Sequence, residues 1–260
     1  MVIDNYKLCA KNLSYNFSMQ RGHLHPISSL IREANAIFYK MGFTIAEGPL
    51  LESEWYNFDA LNVPTDHPAR DMQDTFYIKD EPGYVLRTHT SGVQIRYMTE
   101  QMKKGILPPY RIIAPGKCFR NEATDITHEA EFFQIEGLAV GEDISLAHLK
   151  GTFAGFFSEI FKGQVDIRFR PSYFPFTEPS IEVDMRLTSK TAPEKLRDKW
   201  IEIGGAGMIH PKVLENCGVD SKKYQGYAFG PGLDRIAMLK WGIDDIRLMH
   251  SADLRFINQF

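Results

Sequence analysis

From Ser180 to Leu187 apolar and polar residues alternate without a break. Successive side chains of a strand point to opposite faces, so Ile181, Val183, Met185 and Leu187 form one packing row and the polar row faces the other way. Short alternating strands of this kind, with few helices long enough to cross over a sheet, argue for antiparallel pairing. Helical periodicity appears near residues 25–41, 91–103, 144–161 and 233–240. In the first of these, Ile27, Leu30, Ile31, Ala34, Phe38 and Met41 make an apolar stripe, Pro26 suits the first turn and Gly42 suits the position just past the end.

The densest gathering of chemistry lies between residues 118 and 138. A first strand would place Cys118, Arg120 and Glu122 on one face and Phe119 and Asn121 on the other. A second would place Phe132, Gln134 and Glu136 on one side, with Phe133, Ile135 and Leu138 turned toward the packing side. The register between the strands is not encoded in either segment. If the polar rows share a face, an arginine, two glutamates, a glutamine and an aromatic ring converge on one cleft, the make-up of a nucleotide site. The plainer alternative is a surface pair of Arg120 with Glu122, contributing less than about 1 kcal/mol, and Phe132 in the core.

Residues 226–239 read as a strand, a glycine turn at Gly230 and Gly232, and a helix with Leu233, Ile236 and Leu239 on one stripe and Gly242 as its stop. Glycines let a ligand approach the backbone, and a helix N-terminus favours phosphate oxygens through its free amides and dipole. The third glycine of a dinucleotide fingerprint is missing, so a Rossmann site is a poor reading. Arg235, one turn into the helix, can reach a nucleotide held over the turn.

The 260 residues are 43% hydrophobic, enough for one large domain with a substantial core. No apolar run approaches the length of a membrane span, and no basic-then-apolar leader opens the chain. Cys9, Cys118 and Cys217 are odd in number and lack metal-ligand spacing, which points to free thiols in a reducing compartment, the cytoplasm, and away from zinc. A net charge of −3 gives no general attraction for a polyanion, so any nucleic-acid contact needs a local basic patch or a partner. Lys103 with Lys104, and Arg168 with Arg170, read as solvated charges.

The two charged segments resemble motifs 2 and 3 of the class II aminoacyl-tRNA synthetases, and in detail the alpha-subunit family of bacterial phenylalanyl-tRNA synthetases. The helix from about Pro26 to Met41 and the residues after it, with Pro49, resemble motif 1. The strings His67-Pro68-Ala69-Arg70-Asp71, Thr88-His89-Thr90-Ser91-Gly92-Val93-Gln94 and Tyr173-Phe174-Pro175-Phe176-Thr177-Glu178-Pro179-Ser180 are also similar to that family, so the likeness runs from about Gly22 to Phe260. It implies the class II α+β fold, a mainly antiparallel sheet flanked by helices.

The same likeness implies a chemistry: L-phenylalanine is activated by ATP, in the presence of Mg2+, to an aminoacyl-adenylate and passed to the 3′ end of tRNA(Phe). Arg120 would bridge the substrate carboxylate and the α-phosphate, its planar fork suiting two oxygens at once. Glu122 would accept from the adenine amino group, Phe132 and Arg235 would sandwich the base, and His128 would reach the terminal phosphates. His89, Ser91, Gln94, Gln134 and Glu136 would surround the substrate ammonium. Phe174, Phe176, Ala228 and Gly230 would shape the ring pocket, with Ala228 as its floor. Glu178 would be the magnesium ligand; on residues alone the lesser alternative is a loop carboxylate capping nearby amides before Pro179.

Two divisions follow, a short N-terminal segment over residues 1–22 and a catalytic domain over 23–260. The family's N-terminal coiled coil is expected to be absent, since 22 residues reach at most about 33 Å as a helix. Editing and other tRNA contacts are expected in a larger beta subunit, in an alpha2-beta2 heterotetramer built around motif 1. Another class II activity, such as a phosphoserine-type synthetase, would need a basic pocket where Phe174, Phe176 and Ala228 stand. A non-catalytic module on the same fold would have no need of Arg120, Glu122, His128, Glu178 and Arg235.

Overall fold

The computed structural model describes residues 22–189 and 197–260, so Cys9 and nearly all of the N-terminal segment lie outside the described residues. Seven strands form one sheet in the order β1-β4-β5-β9-β8-β7-β6: β1 Thr44–Ile45, β4 Tyr110–Phe119, β5 Glu131–Gly141, β6 Val165–Phe174, β7 Thr177–Leu187, β8 Ile201–Ile209 and β9 Gln225–Pro231. Every pairing is antiparallel except β1 with β4, as the alternating strands require. A small hairpin of β2 Leu51–Ser53 and β3 Tyr84–Leu86 stands apart, with α2 Glu54–Asn57 between its strands.

One face of the sheet carries α1 Pro26–Lys40, α4 Leu146–Ile160 and α6 Leu233–Trp241. Ile181, Val183, Met185 and Leu187 of β7 pack there, joined by Ile135 of β5 and the stacked rings of Phe38 and Phe156, 4.7 Å apart. The close approach of layers depends on Gly137, where a Cβ would lie 2.0 Å from the ring of Phe229. Helix α1 begins at Pro26 with the His25 ring capping the Ile27 amide, and ends as Gly42 turns to φ +82°. Gly242 ends α6 in the same left-handed conformation.

The opposite face carries α3 Ser91–Lys103 and α5 Pro211–Asn216, with Ile95, Met98, Val213 and Leu214 packed on Ile112, Leu138, Val140 and Ile209. Leu138 therefore turns with Gln134 and Glu136, four and two residues before it, and not with Phe133 and Ile135. Strand parity dictates this, and it corrects the expected position. The chain closes with α7 Arg247–His250 and α8 Leu254–Ile257. Among the described residues no helix is long and apolar enough to cross a membrane.

Candidate active site

The register of β4 on β5 pairs Cys118 with Phe132, Gly116 with Gln134 and Ala114 with Glu136. The polar row of β5 thus lies along the α3 face of the sheet, where two adjoining cavities open. The first, about 170 Å³, is apolar and takes in His89, Ser91 and Gln94 at the start of α3, Gln134 and Glu136 on β5, and Phe174, Phe176, Ala228 and Gly230 across the sheet. The second, about 340 Å³, is polar and takes in Arg120, Glu122, His128, Phe132 and Arg235. Arg120, Gln134, Phe174, Gly205 and Gly230 line both.

Glu136 sits at the polar end of the apolar cavity and is 5% exposed. Its carboxylate accepts from Ser91 Oγ at 2.6 Å, Gln94 Nε2 at 2.7 Å and the Thr90 amide at 3.0 Å. Burial pushes its pKa up to about 7, against the pull of these donors and of Arg87. Ser91 and Gln94 therefore hold Glu136 in place, a role different from the direct ammonium contact that the sequence suggested for Ser91. His89 is kept neutral, its pKa lowered to about 3 by burial and then by the charge of Arg120. Its Nδ1 is buried without a hydrogen-bond partner.

The rings of Phe174 and Phe176 lie parallel, 5.6 Å between centroids, along one wall. They stand side by side because Pro175 and Phe176 turn the chain from β6 into β7. Gly205 lets the Phe174 ring in, since a Cβ there would come within 2.7 Å of it. Ala228 faces the cavity from β9, opposite Leu138 and Gly207.

In the polar cavity Arg120 donates through Nε to the Thr88 carbonyl at 3.2 Å, and its guanidinium rests 4.8 Å from the centre of the Phe132 ring. One face of that ring is thus already covered. Glu122 is not on the strand face assigned to it: β4 ends at Phe119, and Asn121 draws the chain aside by bonding Asp74 and Met72. It still reaches the cavity from the loop, 3.7 Å from Arg120. His128 is fixed by Asp125, which accepts from its amide at 2.8 Å and from its ring at 3.1 Å. Arg235 extends from the first turn of α6 and donates to the Glu202 carbonyl at 2.9 Å.

Glu178 is the residue that the structure leaves out. Its side chain is 75% exposed, lies 3.5 Å from His210 and lines neither cavity. The acidic groups that do line the polar cavity include Glu182 and Glu202, which sequence reasoning missed, although Glu182 belongs to the polar row of the first alternating strand. Arg170 ties them together, 2.8 Å from Glu182, 2.6 Å from Asp184 and 3.8 Å from Glu202. Arg168 also bonds Asp184, whose pKa these two arginines lower. Arg168 and Arg170 therefore stay solvent-accessible while also pairing with a buried carboxylate. Cys118 and Cys217 are buried free thiols, with pKa values raised by burial. Among the described residues no group of three or more His, Cys, Asp or Glu could hold a metal ion.

Residues 12–260 match the family described as tRNA synthetases class II core domain (F). The phenylalanine–tRNA ligase alpha subunit of Anoxybacillus flavithermus is 54% identical over 245 residues, covering 93% of this chain and 70% of that protein. The alpha subunit of the same name from Rhodospirillum centenum is 53% identical over 247 residues, covering 92% and 67%. Among solved structures, the pyrrolysyl-tRNA synthetase of Desulfitobacterium hafniense superposes with a TM-score of 0.65 at 16% identity, over 88% of this chain and 74% of that one, a likeness of fold.

Proposed function

Because the chain belongs to the class II aminoacyl-tRNA synthetases, in the family of phenylalanine–tRNA ligase alpha subunits, we propose that its apolar cavity takes L-phenylalanine, its polar cavity takes ATP, and the two react beside Arg120. The observation that carries this reading is that Arg120 lines both cavities. A substrate carboxylate and an α-phosphate held in adjoining sites bring two anions together, and a guanidinium between them offsets their repulsion. The carboxylate oxygen attacks the α-phosphorus, the bond to the β-phosphate breaks and pyrophosphate leaves, giving phenylalanyl-adenylate. No nucleophilic side chain is needed; positioning and charge neutralisation do the work.

The phenyl ring lies along Phe174 and Phe176, where each ring contact contributes about 0.5–1.5 kcal/mol, and its far edge abuts Ala228. The ammonium meets the Glu136 carboxylate and Gln134, beside the neutral ring of His89. Phe132 and Arg235 flank adenine, Glu122 accepts from its amino group, and His128 approaches the terminal phosphates. Mg2+ accompanies ATP in this reading, but Glu178, exposed and outside the polar cavity, does not fit as its ligand there. The neutralisation assigned to this chain rests on Arg120 and Arg235.

In the second step a hydroxyl at the 3′ end of tRNA(Phe) takes the phenylalanyl group and AMP leaves. We place the chain in the cytoplasm, in an alpha2-beta2 heterotetramer. Ile45, Leu50, Leu51, Trp55 and Tyr84, large apolar residues exposed around β1, β2 and β3, support a partner surface beside motif 1. ATP–pyrophosphate exchange with single amino acids, with and without the co-expressed beta subunit, tests the reading. Exchange with phenylalanine is expected; exchange with none, or with a different amino acid alone, overturns it.

A further inference from the structure

In the wall of the polar cavity, Asp234 is an acidic residue that is 3% exposed. One carboxylate oxygen accepts the backbone N–H of Phe133 on β5, and the other accepts from His250 Nε2 at 3.0 Å. The second nitrogen of His250 lies 3.6 Å from Glu131, the first residue of β5, which Lys117 of β4 also holds at 2.9 Å. Helix α7 is itself tied down, since His25 at the cap of α1 bonds the Met249 carbonyl at 2.8 Å. Asp234 adjoins Arg235 in the chain, and Phe133 adjoins Phe132. A single bridge through Asp234 therefore joins the backbones that carry Phe132 and Arg235, both of which line the polar cavity.

The geometry points to His250 as a positioning residue for nucleotide binding: by clamping Asp234 and Glu131 from α7, it sets the spacing between the Phe132 ring and the Arg235 guanidinium. The inference rests on the assignment of ATP to the polar cavity. His250 touches no substrate. It acts on a gap that must match the thickness of a flat base, and a displacement of either wall weakens stacking without altering the amino-acid cavity. The groups facing His250 are Asp234 from α6, Glu131 from β5 and Glu129 from the loop before it, all acidic, with Lys117 beyond Glu131. The hydrogen bond to Asp234 and then this acidic field raise the His250 pKa, so the doubly donating form persists to higher pH than in a free imidazole, and the clamp weakens as pH rises past the raised value.

Four forms measured with the beta subunit co-expressed test this: wild type, His250→Leu, His250→Gln and Phe132→Ala, each by phenylalanine-dependent pyrophosphate exchange as a function of ATP concentration and pH. His250→Leu leaves a buried carboxylate short of a donor and is expected to raise the KM for ATP about tenfold, with the KM for phenylalanine unchanged. His250→Gln keeps a donor near the Nε2 position without a titrating ring. It is expected to recover most of the loss and to abolish the rise in KM for ATP that wild type shows with increasing pH. Should His250→Leu leave the KM for ATP unchanged while Phe132→Ala raises it, the clamp is wrong and the nucleotide assignment stands. Should Phe132→Ala leave it unchanged as well, the assignment itself falls and the inference with it. A parallel rise in both KM values, or a glutamine variant as impaired as leucine, also overturns the positioning role.

Discussion

The two cavities that meet at Arg120 differ in what holds their walls. The apolar slot is bounded by β5, β8, β9 and α3, its polar end is fixed by three donors on Glu136, and its aromatic wall is locked by Gly205. The polar cleft takes Glu122, His128 and Glu129 from the loop between β4 and β5, where Glu122 and His128 are 35% and 47% exposed and the side chains bond mainly to one another. A slot built into the sheet selects by shape, and small changes in side-chain volume are felt. A cleft closed by a loop selects by charge and tolerates rearrangement when its ligand arrives.

If that contrast is right, the largest effect comes from the shared wall. Arg120→Ala should lower the exchange rate by on the order of 10²–10³-fold, the range found for loss of one group stabilising transition-state charge, with little change in melting temperature. A loss confined to the KM for ATP would remove Arg120 from the reacting centre. Next comes the slot: Ala228→Val should raise the KM for phenylalanine roughly 10- to 100-fold through overpacking and leave the KM for ATP alone. Ala228→Gly should admit para-chlorophenylalanine, and unchanged discrimination in both variants would take Ala228 out of the pocket.

The smallest effect is in pH. The empty site holds a proton on Glu136 below about 7, and a bound ammonium favours the ionised carboxylate. Binding at lower pH must therefore expel that proton, so the KM for phenylalanine should rise by roughly tenfold per unit below about pH 7 and level off above it. A flat profile between pH 6 and 8 would mean that Glu136 is already ionised or does not meet the ammonium.

The slot was more legible in the sequence than the cleft, for a physical reason. Strand parity fixes which residues share a face, so Gln134 and Glu136 could be placed together from spacing alone, and the same parity, applied to Leu138, puts it in that row too. Glu122 escaped because a strand ends where hydrogen bonds to another segment win, and the bonds from Asn121 to Met72 and Asp74 join positions almost fifty residues apart. Arg168 and Arg170 looked merely solvated because their partner, Asp184, lies on the next strand and its burial depends on the sheet order. Asp234 and His250 carried no signal as a pair, since only the folding of α7 against β5 and α6 brings them together. Glu178 matched a motif by type and position, yet the fold turns it outward toward His210.

Gly205 and Gly230 line both cavities with no side chain to recut. A methyl at 205 strikes the Phe174 ring, and one at 230 comes within 3.0 Å of Glu136. Any drift in which amino acid is accepted must then be negotiated from the part of the slot that the polar cavity does not share, around Leu61, Met98 and Val213, where remodelling leaves the polar cavity untouched.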